Sequence, residues 1–592
     1  MWLHITAVEV WSPAESENSR GFLKGEMQLE AEGQSTEELL DWRFRSVGSI
    51  QHIGKWRGSF FTLGVVCFGS LGSGGIFFNL VLYLMRVWDE SSATASNDMT
   101  NLQGTMYFTA LIGAFLGDAY LGRLWTVLLF LVIYATGSVL VGVAVTLQER
   151  ATEPLPENLK AFLFAALYIT AVGNGSHDPV LQSLGGDQFD SQTDKTTFFN
   201  WFFVFSNVGQ LVALSFVTYF QNNGQWALGF WISGGVVLLS IPVYMIGMPF
   251  SRQLRPGGNP FSRVLQVFIC AFRNVRVSPA GTILYQTQDE VGLPLIPGSR
   301  RFSHSKDFRW LDRAAVVGSP EDKGNPWRVC TVTQVEEVKC LLRVAPVFVA
   351  GVLFNTIIAQ LTTLFIAQGA TMDGHIGKHF NMPPGSMQAF TVLACISFTP
   401  FFDYVVVPWL RKRTGYEKGL RLQKMGLGMA LSIVAMVVAV FVERKRLYAA
   451  RSSPLIDVPY AVMPVSMYWL VPQYVLLGIA LVFAIVGQMD FFYSELSDGM
   501  RSIGSSLPLL CRGLGNYAST LLITIVTDIT TRGGELGWIP RNINRGHIDR
   551  FYLLLAVIMS VTLVFYAVAA HFYTYRRVAP SKARAEPVDL TR

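Results

Sequence analysis

Apolar stretches long enough to cross a bilayer recur from about Gly58 to about Tyr573 of this 592-residue chain, and they restrict its fold more than any other feature. A helix rises about 1.5 Å per residue, so roughly 20 residues cross the hydrocarbon. Twelve stretches qualify, at about 59–86, 103–121, 123–146, 160–181, 197–220, 226–248, 341–368, 387–409, 420–442, 466–490, 502–528 and 549–573. In lipid each backbone N–H and C=O must be satisfied within its own segment, so these read as helices. Only 15% of the residues are charged and 51% are hydrophobic, against about 25% charged in soluble domains. The chain is therefore read as an all-α, multi-pass membrane protein.

The stretches fall into two sets of six. The expected organisation is an N-terminal cytoplasmic region (1–57), a first six-helix bundle (58–250), a cytoplasmic central loop (251–338), a second six-helix bundle (339–575) and a cytoplasmic tail (576–592). The orientation comes from the excess of Lys and Arg in the central loop, in RKRTGYEKGLRLQK after the eighth stretch, and in RRVAPSKARAEP at the tail. ERKRL, after the ninth stretch, opposes it by falling on the other side, unless its cations snorkel to the interface. Within the central loop, NPFSRVLQVFICAFRNV has apolar residues at helical spacing. It suits a helix lying on the membrane surface, or equally a soluble linker helix.

Several function classes are excluded. The net charge of +6 is accounted for by basic loops, and nucleic-acid binding explains it poorly. The six cysteines, Cys67, Cys270, Cys330, Cys340, Cys395 and Cys511, show neither a C-x-x-C pair nor a framework spacing, so no disulfide scaffold or metal site is expected. No cofactor is called for: metal-ligand cluster, phosphate-binding loop and nucleophile motif are all missing from the sequence, which argues against an enzyme. The N-terminus does not read as a cleaved signal peptide.

Six plus six helices around a central loop resembles the major facilitator superfamily, which binds its solute near the midplane between two rocking halves. GAFLGDAYLGRLW, between the second and third stretches, supports this: Gly113, Asp118, Gly122 and Arg123 match the superfamily's gating loop. Further stretches narrow the likeness: GGDQFD from Gly185, FFVFSNVGQ from Phe202, HSKDFRWLDRAA from His304, NPWRVCTVTQV from Asn325, GQMDFFYSELSDGMR from Gly487, and GWIPRNINRGHIDRFY. Together they resemble the plant nitrate/peptide transporter family, part of the proton-dependent oligopeptide transporter group, over roughly Asp41 to Tyr573. The resemblance implies a twelve-helix, proton-coupled carrier of small solutes in a lipid bilayer. Substrates across such a family include nitrate, peptides, hormones, glucosinolates and potassium. It implies the plasma membrane first and the vacuolar membrane second.

Departures from the family pattern sharpen the reading. Most relatives carry E-x-x-E-R in the first span; the aligned residues here are Val66, Gly69 and Ser70. One branch, associated with xylem nitrate and with potassium–proton exchange, also lacks that motif and resembles FFNLVLYLMRV at Phe77–Val87. In the fourth span, Asp178 falls where many relatives carry a Lys; in the tenth, Asp490 takes the place of a Glu that pairs with it. Two acids facing one cavity cannot both ionise cheaply, so Asp490 and Asp178 are the expected proton-coupling groups. Neighbouring His177 points about 100° away on a regular helix and reads as a packing residue. Arg512, in LPLLCRGLGNY, is the expected anion-binding or Asp490-neutralising group. Gln360, Thr362, Asn207 and Gln210 are expected pocket liners, with interhelical hydrogen bonding as their plain alternative. Ile358 replaces a nitrate-binding His of one relative, and Thr105 aligns with a regulatory phosphosite of one relative.

The leading functional expectation is a secondary carrier, proton-coupled, moving nitrate or another small ion or metabolite by alternating access. A peptide carrier fits less well, because the charges that would hold peptide termini are missing. The alternatives are a potassium/proton exchanger and a sensor or interaction protein that has lost transport.

Overall fold

The computed structural model describes residues 39–45, 54–151, 156–189, 192–254, 260–275, 285, 304–305, 307–317, 325, 327–376, 380–401, 420–458, 461–496, 501–532 and 536–573. Ten of its helices are long and apolar enough to cross a membrane: Lys55–Val87, Arg123–Arg150, Glu157–Gly186, Thr197–Asn222, Trp226–Phe250, Val332–Ala370, Leu422–Arg451, Met467–Met489, Ser506–Thr530 and Ile548–His571. They are the first, third to seventh, and ninth to twelfth spans. The second position holds the helix Ser92–Leu116, continued by a wider turn over Gly117–Leu121. The eighth holds Gln388–Phe401, and the rest of that expected stretch lies outside the described residues. The tail at 576–592 also lies outside them.

Two bundles result. In the first half, the first span packs on the fifth and sixth, the third on the fourth and sixth, and the second on the fourth. In the second half, the seventh packs on the eleventh and twelfth, the ninth on the tenth and twelfth, and the eighth on the tenth. The halves meet where the second span crosses the eleventh and the fifth meets the eighth. The small residues of SLGSGG permit the close approach in the first bundle. A Cβ on Gly72 would lie 2.1 Å from Val237, and one on Gly75 2.1 Å from the Ser233 hydroxyl of the sixth span.

The expected helix in the central loop is present as Pro260–Arg273. Val267, Cys270 and Ala271 are buried, whereas Leu265, Ile269 and Phe272 are exposed, and the Phe268 and Phe272 rings approach exposed Trp310. One face meets the protein and a second apolar face is left outward, as a helix lying on lipid requires. On the same side, the short strand Leu39–Leu40 pairs with Gln253–Leu254 just beyond the sixth span.

His304, Ser305 and residues 307–315 dock at the base of the seventh span. Thr331 and Gln334 form a reciprocal cap there. The ammonium of buried Lys339 lies 2.7 Å from Asp312 and 2.8 Å from Glu336, and donates to the Ser305 carbonyl at 3.0 Å. His304, Asp312 and Glu336 are ligand types grouped closely enough for a metal, but Lys339 already supplies the positive charge between the two acids.

The ninth helix corrects one expectation. It runs on to Arg451, through ERKRL, and those cations are engaged within the protein rather than all snorkelling outward. Arg446 is fully buried and its five N–H donors all find acceptors: Glu443 Oε1 at 2.6 Å and Oε2 at 2.8 Å, Thr371 Oγ1 at 3.0 Å, Asn544 Oδ1 at 2.5 Å and the Ile543 carbonyl at 3.0 Å. Lys445 sits 3.3 Å over the Trp469 ring, and Arg444 lies 3.4 Å from Asp549. Arg446 is thus spent inside the fold, which weakens the conflict with the other basic loops, whereas Arg444 and Lys445 are exposed.

Candidate functional site between the two bundles

The halves are fastened on the side remote from the central segment. Ser386, at the head of the eighth span, shares a 2.9 Å hydrogen bond with Thr218 and donates to the Leu214 carbonyl at 2.5 Å, both on the fifth. Asn97 donates to Thr524 at 3.0 Å, Thr100 meets Thr520 at 2.5 Å, and Thr105 meets the Tyr517 hydroxyl at 2.9 Å. An ion pair between Asp89 and Arg541 joins the loops above. These ties join the halves on that side of the molecule.

Below the seal, Arg512 of the eleventh span lies over the Tyr107 ring of the second, 4.7 Å from its centroid. The guanidinium is half-buried. Among the described residues it has no hydrogen bond and no ion pair, although it offers five donors. Thr362 donates to Gln103 at 3.2 Å across the halves, next to this stacked pair in sequence on the second span. Gln360 is fully buried; its amide donates to Ser519 at 3.0 Å and its oxygen accepts from Thr363 at 3.3 Å, tying the seventh span to the eleventh. Asn207 is buried and donates to the Phe203 carbonyl of its own helix at 2.7 Å, while Gln210 is half-buried two turns from the Thr218 seal.

His177 and Asp178 part company, as adjacent helical residues do. His177 is buried, stacked on Tyr134 with ring centroids 5.5 Å apart, and its Nδ1 lies 2.9 Å from the Asn174 carbonyl. Its ring faces the first span at Gly69, whose carbonyl accepts from the Tyr134 hydroxyl at 2.9 Å. Val66 is buried, and Ser70 pairs with Ser206 at 2.9 Å. Val66, Gly69 and Ser70 thus meet neighbouring spans through packing and a hydroxyl pair. Asp178 is exposed, between buried His177 and half-buried Pro179, with no hydrogen bond or ion pair among the described residues. The backbone of Asp490 lies in the tenth helix; its side chain, like that of Asp118, lies outside the described residues, so the expected pairing of two acids has no geometry here.

The stretch from Gly113 to Arg123, expected as the gating loop, ties the second, third and fourth spans together. A Cβ on Gly113 would lie 2.1 Å from the Ser176 carbonyl, so the second and fourth spans touch there backbone to backbone. Gly122 has φ +72°, which favours glycine, and releases the chain into the third span. Arg123 then lies 2.5 Å from Asp187 at the end of the fourth. Arg252 Nε donates to the Asp187 carbonyl at 3.0 Å, and Gln188 bonds the Arg252 backbone in both directions, at 2.7 and 2.9 Å. Sequence reasoning missed Asp187 as the partner of Arg123, although GGDQFD displayed it. It also missed Tyr107 and Gln103, which carry no mark in the sequence, and the Glu443–Arg446 pair.

Two six-helix bundles joined along one side are the architecture of the major-facilitator type. Comparison with known proteins specifies it. A family model described as "PTR2: POT family" matches residues 124–539. The chain belongs to this family of membrane transporters, within its plant NRT1/PTR members. It is 38% identical to Protein NRT1/PTR FAMILY 8.1 of Arabidopsis thaliana over 88% of this chain and 95% of that protein, and 39% identical to FAMILY 8.3 over 89% and 93%. FAMILY 7.3 is 35% identical over 84% and 85%. Among solved structures, an auto-inhibited POT family peptide transporter superposes with TM-score 0.64 at 19% identity, covering 89% of this chain and 99% of that one. The POT family transporter PepTSo gives 0.63 at 18%, covering 88% and 99%. At such identities these two speak for the fold alone.

Proposed function

We propose that this protein is a proton-coupled secondary carrier of a small anionic solute, nitrate or a carboxylate-bearing metabolite, working by alternating access. The observation that carries the reading is Arg512: a guanidinium inside the bundle, stacked on Tyr107 and free of any anionic partner among the described residues. A cation held in a membrane interior without a counter-ion is costly, and functional sites are where that cost is retained. A planar anion offers it bidentate hydrogen bonds. Asp178 supplies the proton site, as a carboxyl in a spanning helix with no hydrogen bond or ion pair among the described residues, and Asp490 remains its proposed companion. The arrangement closed remote from the central segment is one end of the cycle; the Arg123–Asp187–Arg252 knot is proposed to steady the other face as the halves rock. By the positive-inside rule the central segment faces the cytoplasm, and the plasma membrane is the proposed location.

The test is current recording in oocytes at acidic and neutral outside pH with nitrate, potassium, an organic carboxylate and a dipeptide offered in turn. Acid-stimulated flux of an anion is expected, and Asp178→Asn should remove most of its pH dependence while leaving the protein at the surface. Potassium-driven current with no anion response would overturn the anion reading in favour of the exchanger. Surface protein with no flux of any of them would favour the sensor.

A further inference from the structure

Two of the cysteines meet in the central segment. Cys270 lies on the buried face of the surface helix Pro260–Arg273, and Cys330 lies just before the cap of the seventh span. They are 60 residues apart in sequence, both are buried, and their side chains are hydrogen-bonded to one another. No disulfide joins them in this structure. The surroundings hold the pair in register. The Cys330 N–H donates to the Ala314 carbonyl at 2.9 Å, and Asn274, one turn beyond Cys270, donates to the Arg313 carbonyl at 3.0 Å. The short Arg309–Ala315 helix therefore anchors both cysteine-bearing segments.

We propose that Cys270 and Cys330 form an oxidisable dithiol site, whose disulfide staples the surface helix to the base of the seventh span. The chemistry is a two-electron oxidation by a peroxide. A Cys270 thiolate attacks one peroxide oxygen, giving a sulfenic acid and releasing the other oxygen as hydroxide, which takes up a proton to become water. The Cys330 sulfur then attacks the sulfenic sulfur; the S–S bond forms, the S–O bond breaks, and the hydroxyl leaves as a second water with the Cys330 proton. Two thiols and one hydrogen peroxide become one disulfide and two waters. The electrostatics suit these roles. The hydrogen bond from Cys330 pulls the Cys270 thiol below its usual range, with Arg273 acting in the same direction, whereas the same contact and burial push Cys330 up. One sulfur is poised to attack and the other to resolve.

The consequence follows from connectivity. In the reduced chain, the first bundle reaches the second through all of residues 251–331. In the oxidised chain the covalent path leaves the sixth span, passes through the surface helix and crosses directly to residue 330, bypassing 271–329. The surface helix then moves with the second bundle. On the reducing side of a membrane such a bond is transient, as a sensing disulfide is.

The test uses the full chain in isolated membranes. Hydrogen peroxide is added, free thiols are blocked with N-ethylmaleimide, and the peptides are mapped by mass spectrometry without reduction. The expected result is a linked peptide carrying Cys270 and Cys330, lost on treatment with dithiothreitol and absent from Cys270→Ser and Cys330→Ser, while Cys67, Cys340, Cys395 and Cys511 are recovered alkylated after denaturation. Gel filtration of each variant separates loss of the link from loss of the fold. Recovery of Cys270 and Cys330 on separate alkylated or over-oxidised peptides from monodisperse wild-type protein would overturn the proposal, as would a link that joins either of them to another cysteine.

Discussion

Arg446→Met should be among the most damaging single substitutions in the second bundle, lowering the stability of the solubilised protein by about 3–5 kcal/mol, the cost of leaving one member of a buried ion pair alone. The reason is the completeness of its surroundings. Glu443 and Arg446 are both fully buried, and Gln368 of the seventh span donates to Glu443 at 2.8 Å. The Gln368 oxygen accepts from Tyr552 of the twelfth at 3.3 Å and from Gln473 of the tenth at 3.4 Å. Removing the guanidinium strands a carboxylate among groups arranged to serve a pair. The double variant Glu443→Gln, Arg446→Met removes both charges and should recover much of the loss, since an apolar or neutral replacement of a whole buried pair is far less costly. Thermal unfolding followed by size-exclusion chromatography reads both. A double variant no better than Arg446→Met would show that the four-helix tie depends on the guanidinium's hydrogen bonds rather than on charge balance.

Arg512→Ala should reduce anion flux on the order of 100-fold, because a bidentate, charge-assisted contact is lost; each such hydrogen bond contributes roughly 1.5–3 kcal/mol. The fold should survive. Arg512 makes no hydrogen bond or ion pair among the described residues through its side chain, and its neighbour Tyr107 loses only a stacked cation. Arg512→Lys keeps the charge but not the planar fork, so it should recover part of the flux with weaker apparent affinity. Measuring uptake against solute concentration for the three proteins distinguishes a binding role from a structural one. A merely structural arginine would lower the amount of surface protein and leave the affinity of what remains unchanged.

The architecture was legible because hydropathy speaks directly to it: all but one of the expected spans begin within about ten residues of a helix in the structure, and the central-loop helix is where its periodicity put it. The second span, the exception, begins at Ser92 rather than near residue 103, because its first turns are polar and serve the seal between the halves. The ninth helix was read short for a related reason. ERKRL looks like a loop when charge is taken as a mark of exposure, whereas Glu443 and Arg446, at i and i+3, satisfy each other and let the helix continue. Arg512 stood out as a lone cation in an apolar span. Its stacking partner did not, since Tyr107 lies far away in the other half and an aromatic residue in a spanning helix is ordinary. Polar side chains such as Gln360 and Asn207 were visible as unusual, but sequence does not say which way they face. In the structure Gln360 bonds to a neighbouring helix and Asn207 to its own.

Alternating access is the centre of this account, and the seal between the fifth and eighth spans tests it most directly. Thr218 and Ser386 share a hydrogen bond at 2.9 Å, so cysteines at both positions can be cross-linked when that side is closed. Thr218→Cys, Ser386→Cys protein would be reconstituted into liposomes, and proton-gradient-driven anion uptake measured before cross-linking, after it, and after reduction of the bond. The account predicts uptake that stops when the bond forms and returns when it is reduced. Cross-linked protein that carries its solute as fast as the reduced protein would contradict it.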